Sequence, residues 1–455
     1  MTTRAARAPR RPSRAARGGP AGLAARQAAV SLLGDVLDEG KPLDAAFLHQ
    51  IVRGNLGPLE PRDRALARAI VATALRRKGQ IDALLGRMLE RPLPKSSKTL
   101  GHILAAALTQ ILFMQMPPHA VVNLAVEQTR GNRASRRFDK LTNAVLRRAV
   151  REGGAMIAAQ DAARLNTPDW LWRRWEANYG EATAKRIGEA HLNEPALDLS
   201  VKSEPALWAE QLEAIELSTG SIRLRPKGRI EDLAGYGAGA WWVQDAAAAL
   251  PVKLLGDVAG KRIADLCAAP GGKTAQLANL GANVTAVDTS KIRLARTAEN
   301  LMRLELTAEL VKADATKWQS DTPFDAILLD VPCMATGTIR RHPDIPYLKQ
   351  ERDLLELTRL QDALLANAVK LIKPGGSLIY CTCSMEPEEG EQRIAALLES
   401  EPGLRADPIE ATEFAGEPGW ITDQGYLRTL PFQCQTADPL MSGIDGFFAA
   451  RLIIS

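Results

Sequence analysis

Asp265-Leu266-Cys267-Ala268-Ala269-Pro270-Gly271-Gly272-Lys273-Thr274 is an apolar run that breaks on a glycine turn. Residues 262–267 read as a strand, and the stretch after the glycines reads as a helix. Outward from that turn the pattern repeats. Further strands are predicted at 283–288, 309–314, 324–330 and 377–383, and 446–454 reads as one more buried strand. Helical stretches separate them, notably 291–304 and 353–372. Strands alternating with helices predict a doubly wound, mostly parallel α/β sheet, a Rossmann-like domain over 236–455.

In such sheets a ligand binds outside the carboxyl ends of the strands, at the point where strand order reverses. The glycine turn lies there. It is not a phosphate loop, because that pattern needs a glycine where Cys267 stands, and G-x-G-x-x-G is absent. A tight turn without a full phosphate cradle suits a nucleoside cofactor that carries no triphosphate, and S-adenosylmethionine fits. The acids agree. Asp288 follows the turn by about 20 residues, where a carboxylate holds ribose hydroxyls. Asp314 is placed to accept from an adenine amino group, and Asp330 ends a third strand at the same sheet edge. A helix N-cap is the competing role for each.

Two thiols face this turn. One is Cys333 in Asp330-Val331-Pro332-Cys333, the other Cys383 in Cys381-Thr382-Cys383-Ser384. A thiol nucleophile beside a cofactor suits attack on an aromatic ring too unreactive to be alkylated directly. A thiolate metal site is excluded, since there is no C-x-x-C pair and His342 is the one histidine nearby.

The rest of the chain reads as separate parts. Six arginines between Arg4 and Arg17, with no acid among them, predict a disordered basic arm over 1–22, either a phosphate-contacting arm or a solubilising tail. From 23 to 152 the spacing is helical: Ala28, Leu32, Leu33 and Val36, then Leu66, Ile70, Val71 and Leu75 behind Pro61. This predicts an all-α bundle of roughly 130 residues, a usual domain size. Arg133, Arg136, Arg137, Lys140, Arg147 and Arg148 offer an RNA-binding face or a solvated one. Residues 153–235 read as a linker helix and a small α+β module. Trp170, Trp172 and Trp175 are expected to pack there. Gln244-Asp245 is placed to cap the first catalytic helix.

A net charge of +5, 46% hydrophobic residues and no apolar run of membrane-spanning length predict a soluble multidomain protein. Five cysteines clustered at strand ends favour free thiols in a reducing cytoplasm.

CAAPGGKT at 267–274, DVPC at 330–333, RRHPDI at 340–345 and TCS at 382–384 resemble, in order and spacing, the Sun family of RNA cytosine-5 methyltransferases. The helical block resembles the RNA-binding fold of the antitermination factor NusB, a fusion characteristic of the bacterial small-subunit rRNA branch. The resemblance implies that Cys267, Ala268, Ala269, Pro270, Gly271, Gly272, Lys273, Asp288 and Asp314 contact S-adenosylmethionine. It also implies that Asp330 lies between cofactor and base, that Cys383 attacks carbon 6 of cytosine, and that Cys333 assists release. The implied partner is 16S rRNA, acted on by a monomer without metal or membrane. A tRNA substrate, or a non-catalytic RNA-binding protein, is the alternative. Met334 and Cys381 depart from the family, which often has Ser at each position. Cys381 is given a structural role. Arg340, Arg341 and His342 are expected to grip the backbone of a flipped nucleotide, and Lys273 to favour a nearby thiolate.

Overall fold

Alanine and leucine at three- and four-residue spacing turn the first part of the chain into helices. The computed structural model describes residues 20–225 and 228–455. The arginines between Arg4 and Arg17 lie outside the described residues. The chain divides into two units after Gln160.

The first unit is helical. Its helices are α1 Leu23–Leu37, α2 Leu43–Arg53, α3 Pro61–Arg76, α4 Lys78–Met88, α5 Lys98–Leu112, α6 Pro118–Gly131 and α7 Asp139–Ala158. Pro61 opens α3, where its missing N–H and fixed φ cost nothing. Leu32, Leu33, Ile70, Leu104 and Leu108 fill the centre, each 0–1% exposed. Arg133, Arg136, Arg137, Lys140 and Arg147 remain exposed. Helix α7 runs through Gly153 and Gly154, so the helical unit outlasts the boundary expected at 152. Two glycines weaken a helix by about 1 kcal/mol each, which packing overrides.

The second unit starts with α8 Ala162–Asn166, α9 Asp169–Tyr179 and α10 Glu181–Ala190. A small antiparallel sheet follows, in the order β2-β3-β1-β4, from β1 Leu197–Val201, β2 Ile215–Glu216, β3 Ile222–Leu224 and β4 Trp241–Val243, with α11 Pro205–Gln211 beside it. Leu199 of β1 pairs Val243 of β4, so this sheet reaches past 235. Three residues are too few to show a period, so pairing with a distant strand decides the membership of β4.

The large sheet has the order β10-β12-β9-β8-β5-β6-β7, with β11 paired to β12. Its strands are β5 Arg262–Leu266, β6 Asn283–Asp288, β7 Glu309–Lys312, β8 Phe324–Asp330, β9 Ile372–Thr382, β10 Leu404–Ala406, β11 Leu427–Thr429 and β12 Phe447–Ile454. From β7 to β9 every neighbour is parallel, and β12 closes the sheet antiparallel. Helices α12 Ala246–Lys253, α13 Gly272–Asn279, α14 Lys291–Arg303, α15 Ile345–Leu348, α16 Asp353–Lys370 and α17 Glu391–Ser400 connect the strands. Along β8 the side chains alternate between two cores. Ala326 and Leu328 join the core under α12 and α13, while Ile327 and Leu329 join the one under α16 and α17. A strand buried on both faces gives the continuous apolar run seen in the sequence.

The tryptophans pack as expected. Trp175 is fully buried with Leu171, Ile187, Ile339 and Met385, and its indole donates to Glu386 Oε1 at 3.2 Å. Trp175→Ala should cost about 3–5 kcal/mol, the usual penalty for emptying a buried aromatic site. Urea unfolding followed by far-UV circular dichroism checks this, and an unchanged midpoint would contradict it.

Candidate active site

The glycine turn leaves β5 with Cys267 at φ 63° and Gly271 at φ 95°. A Cβ on Gly271 would come within 2.5 Å of Thr297 Cγ2 on α14, so only glycine allows this approach. Beside the turn, β8 ends at Asp330, and β9 ends just before Cys383. β5 and β8 are adjacent, and the connections leave them in opposite directions along the sheet. That is the switch point of the sheet.

A cleft of about 300 Å³ opens there. Cys267, Ala269, Asp288, Asp314, Asp330, Cys333 and Cys383 all line it. Ala268, Pro270, Gly271, Gly272 and Lys273 do not form its wall; Lys273 sits behind, donating to Asp330 Oδ2 at 2.8 Å. Residues the sequence did not single out also line the cleft, among them Arg293, Thr316 and Leu360. Arg293 carries no motif signal, because its place is set by the packing of α14 on β6.

The acids are partly occupied. Asp288 accepts from Ala269 N at 3.2 Å, Ser290 N at 2.8 Å and Arg293 at 2.9 Å. It thus ties the glycine turn to the end of β6, and Ser290 rather than Asp288 caps α14. Asp314 stands two residues past the end of β7, not on it. Its Oδ1 accepts from the hydroxyl and N–H of Thr316, which hold its carboxyl below the usual range, while its Oδ2 lies 3.6 Å from the exposed Lys317 ammonium.

The two thiols meet. Cys333 Sγ lies 3.5 Å from Cys383 Sγ. That hydrogen bond, then burial, then the charges of Cys383 and Glu389 push Cys333 well above an ordinary thiol. Either sulfur can donate in this contact. Cys381 is buried against the sheet and also raised, first by burial and then by Asp330. Burial pushes the Cys267 thiol up to about 12.

Two expectations change. Lys273 is held by Asp330, and the thiol its charge favours is Cys381. Burial works against its charge, yet Asp330 and Cys381 hold it above its ordinary value, and its ammonium lies 5.0 Å from the centre of the Phe447 ring. The cation that has Cys383 among its charge partners is Arg341. Arg340 does not reach outward either. It is buried, with Asp245 and Asp445 each 3.7 Å away, because the 335–345 segment folds back under β12. Arg341 stays partly exposed while donating to Asp445 at 2.7 Å. Asp245 caps α12 through Ala247 N at 2.9 Å, as read from the sequence.

The structure adds a brace. Arg174 of α9 donates to Glu386 at 2.6 Å and Glu388 at 2.7 Å, fixing the loop after Cys383. Gly337 donates to the Cys383 carbonyl at 2.9 Å, and a Cβ on it would lie 1.8 Å from the Gly446 carbonyl oxygen. Among the described residues no cluster of three or more His, Cys, Asp or Glu could hold a metal, and no helix is long and apolar enough to cross a membrane.

The model of the 16S rRNA methyltransferase RsmB/F family matches residues 252–453, and that of the NusB family matches residues 23–151. Ribosomal RNA small subunit methyltransferase B of Cronobacter sakazakii is 33% identical over 452 residues, covering 94% of this chain and 98% of that protein. The protein of the same name from Vibrio cholerae is 36% identical, covering 85% and 92%. The crystal structure of PH0851 superposes with a TM-score of 0.72 at 22% identity over 96% of this chain and 99% of that one, a likeness of fold. A methyltransferase homolog from Pyrococcus horikoshii gives 0.53 at 26% identity over 65% and 98%.

Asp265 lies in the core beneath this site. Its Oδ2 accepts from Thr274 at 2.6 Å, its Oδ1 has no partner, and burial pushes its carboxyl up to about 7. The neutral form's contribution to stability is fully present below the unfolded value of about 3.9 and is lost as pH rises through about 7. Asp265→Asn should therefore raise Tm more at pH 8 than at pH 5. Scanning calorimetry at both pH values checks the sign, and an equal shift at both would contradict it.

Proposed function

Because the chain belongs to the RsmB/F family of 16S rRNA methyltransferases, we propose that it methylates carbon 5 of a cytosine in small-subunit rRNA through a covalent Cys383 adduct. The carrying observation is the 3.5 Å contact of two thiols on the wall of the acid-rimmed cleft. We take the enzyme to be a monomer of the cytoplasm.

The cleft suits S-adenosylmethionine better than a polyphosphate. Arg293, Lys273 and Lys317, cations near it, are each paired with a carboxylate. Asp288 carries three of the roughly four hydrogen bonds a carboxylate can accept, leaving one for a ribose hydroxyl. Asp314 meets the exposed Lys317 on its Oδ2 and can also accept from an amino group, and Cys267 and Ala269 of the turn line the cleft. When bound, S-adenosylmethionine supplies the electrophilic methyl group.

Carbon 5 of cytosine is a weak nucleophile. Addition of the Cys383 thiolate at carbon 6 makes carbon 5 enamine-like, splitting one hard step into easier ones. The Cys333 S–H stabilises that thiolate, and Arg341 adds a positive charge. Asp330 holds the Lys273 ammonium on Oδ2, so it faces the base as an acceptor for the exocyclic amino group. Once Cys383 is bonded to carbon 6, its hydrogen bond and charge no longer hold the Cys333 proton, although burial and Glu389 still do. Cys333 gives that proton to water in the open cleft and, as the thiolate, takes the carbon 5 proton. The C5–H electrons form the C5=C6 bond, and the C6–S pair returns to Cys383. The base must leave its stack to reach the thiols, which favours unpaired cytosines. The exposed arginines of the helical unit would hold backbone phosphates.

Cys383→Ala should abolish turnover and adduct formation with 5-fluorocytosine RNA, whereas Cys333→Ala should accumulate an adduct with ordinary RNA on a denaturing gel. The reverse pattern would exchange the two roles. Bisulfite sequencing of RNA from a strain lacking the gene should show one 16S cytosine losing its methyl group. Loss confined to tRNA would overturn the substrate assignment.

A further inference from the structure

Behind the thiols lies a carboxylate that the reaction above does not use. Glu389 is 0% exposed. Its two oxygens accept from Met334 N at 3.1 and 3.0 Å, and Oε1 accepts from Gln361 Nε2 at 2.9 Å. The Ser384 hydroxyl also donates to it. Met334 follows Cys333 and Ser384 follows Cys383, so one carboxylate fastens the chain just beyond each thiol. Gln361 of α16 uses the same amide nitrogen to hold the Pro332 carbonyl at 2.9 Å, on the other side of Cys333. The Tyr380 hydroxyl anchors the Glu389 carbonyl at 2.6 Å.

A buried carboxylate is costly unless its oxygens are satisfied. Here the donors are neutral, and no cation is among the groups that set the charge of Glu389; burial raises its carboxyl and the three donors lower it. An amide would fill the same space but would turn an N–H₂ toward groups that can only donate, or whose donor is already aimed at it. The carboxylate also acts on Cys333 through space, opposing loss of its proton.

We propose that Glu389 is a positioning residue that sets the spacing of the Cys333 and Cys383 sulfurs and so governs release of the methylated base, an inference that rests on the two-thiol reading above. With Glu389 altered, the Cys333 loop loses its anchor at Met334. Attack by Cys383 can still occur, because that thiol is also held through Gly337. Proton removal by Cys333 suffers, since it needs the sulfur in register with carbon 5.

The test compares Glu389→Gln, Cys333→Ala and the parent full-length enzyme on 16S rRNA transcripts. S-adenosylmethionine binding is followed by calorimetry and the protein–RNA adduct on denaturing gels. Glu389→Gln should bind S-adenosylmethionine as the parent does, lose about 10²-fold in kcat, the cost of a 1 Å misplacement, and accumulate adduct as Cys333→Ala does. In a Cys383→Ala background, Glu389→Gln should also move iodoacetamide alkylation of Cys333 to lower pH, which simple loosening would not do. If Glu389→Gln shows parental kcat and no adduct while Cys333→Ala accumulates it, the role of Glu389 is overturned and the two-thiol reading stands. If Cys333→Ala accumulates none, the two-thiol reading falls and the inference with it. Should Glu389→Gln fail to fold, Gln361→Ala removes the brace from α16, and absence of adduct there overturns the proposal.

Discussion

The register between β8 and β9 is the constraint on which the site depends. Asp330 pairs across from Cys381, and Val331 N donates to the Cys381 carbonyl at 3.1 Å. Strand side chains alternate with period two, so a slip of one residue would turn every side chain of β9 to the other face. The alternating cores of β8 oppose such a slip, because Ala326 and Leu328 fit one helical layer and Ile327 and Leu329 the other. The same packing that buries the sheet therefore brings Cys333 and Cys383 to one cleft.

Beyond the strand ends, irregular backbone must hold the thiols in place. It is fixed by buried polar groups rather than by secondary structure. Arg174 on α9 reaches Glu386 and Glu388, and Arg428 on β11 donates to the Ser384 carbonyl at 2.6 Å. Glu389 gathers the Met334 and Gln361 donors. Each charge is paired or hydrogen-bonded, as a water-poor interior requires. Removing one partner would leave another stranded, so these residues act as a set.

Charge is arranged with the same economy around the cleft. Lys273, within the motif itself, is turned inward to Asp330, and Arg340 is consumed by Asp245 and Asp445. Burial pushes Asp445 up to about 6, with Arg341 opposing the shift. Arg341 is left as a partly exposed cation whose charge is felt by Cys383. The cleft wall thus carries Asp288, Asp314 and Asp330 together with Cys333 and Cys383.

The sequence by itself determined the alternation of strands and helices, the glycine turn, and the two thiols. Each is encoded locally, by period two, by period 3.6, or by glycine at a turn that excludes a Cβ. The bounds of β6 and β8 were legible to the residue for that reason. The tertiary structure alone decided which charges are free. Nothing local separates Arg340 from Arg341, or Glu388 from Glu389; their fates follow from contacts with residues about 100 and 28–55 positions away. Only folding could decide that β4, three residues long, belongs to the small sheet. Periodicity is a property of neighbours along the chain, whereas the pairing of a buried charge depends on what the rest of the chain brings to it.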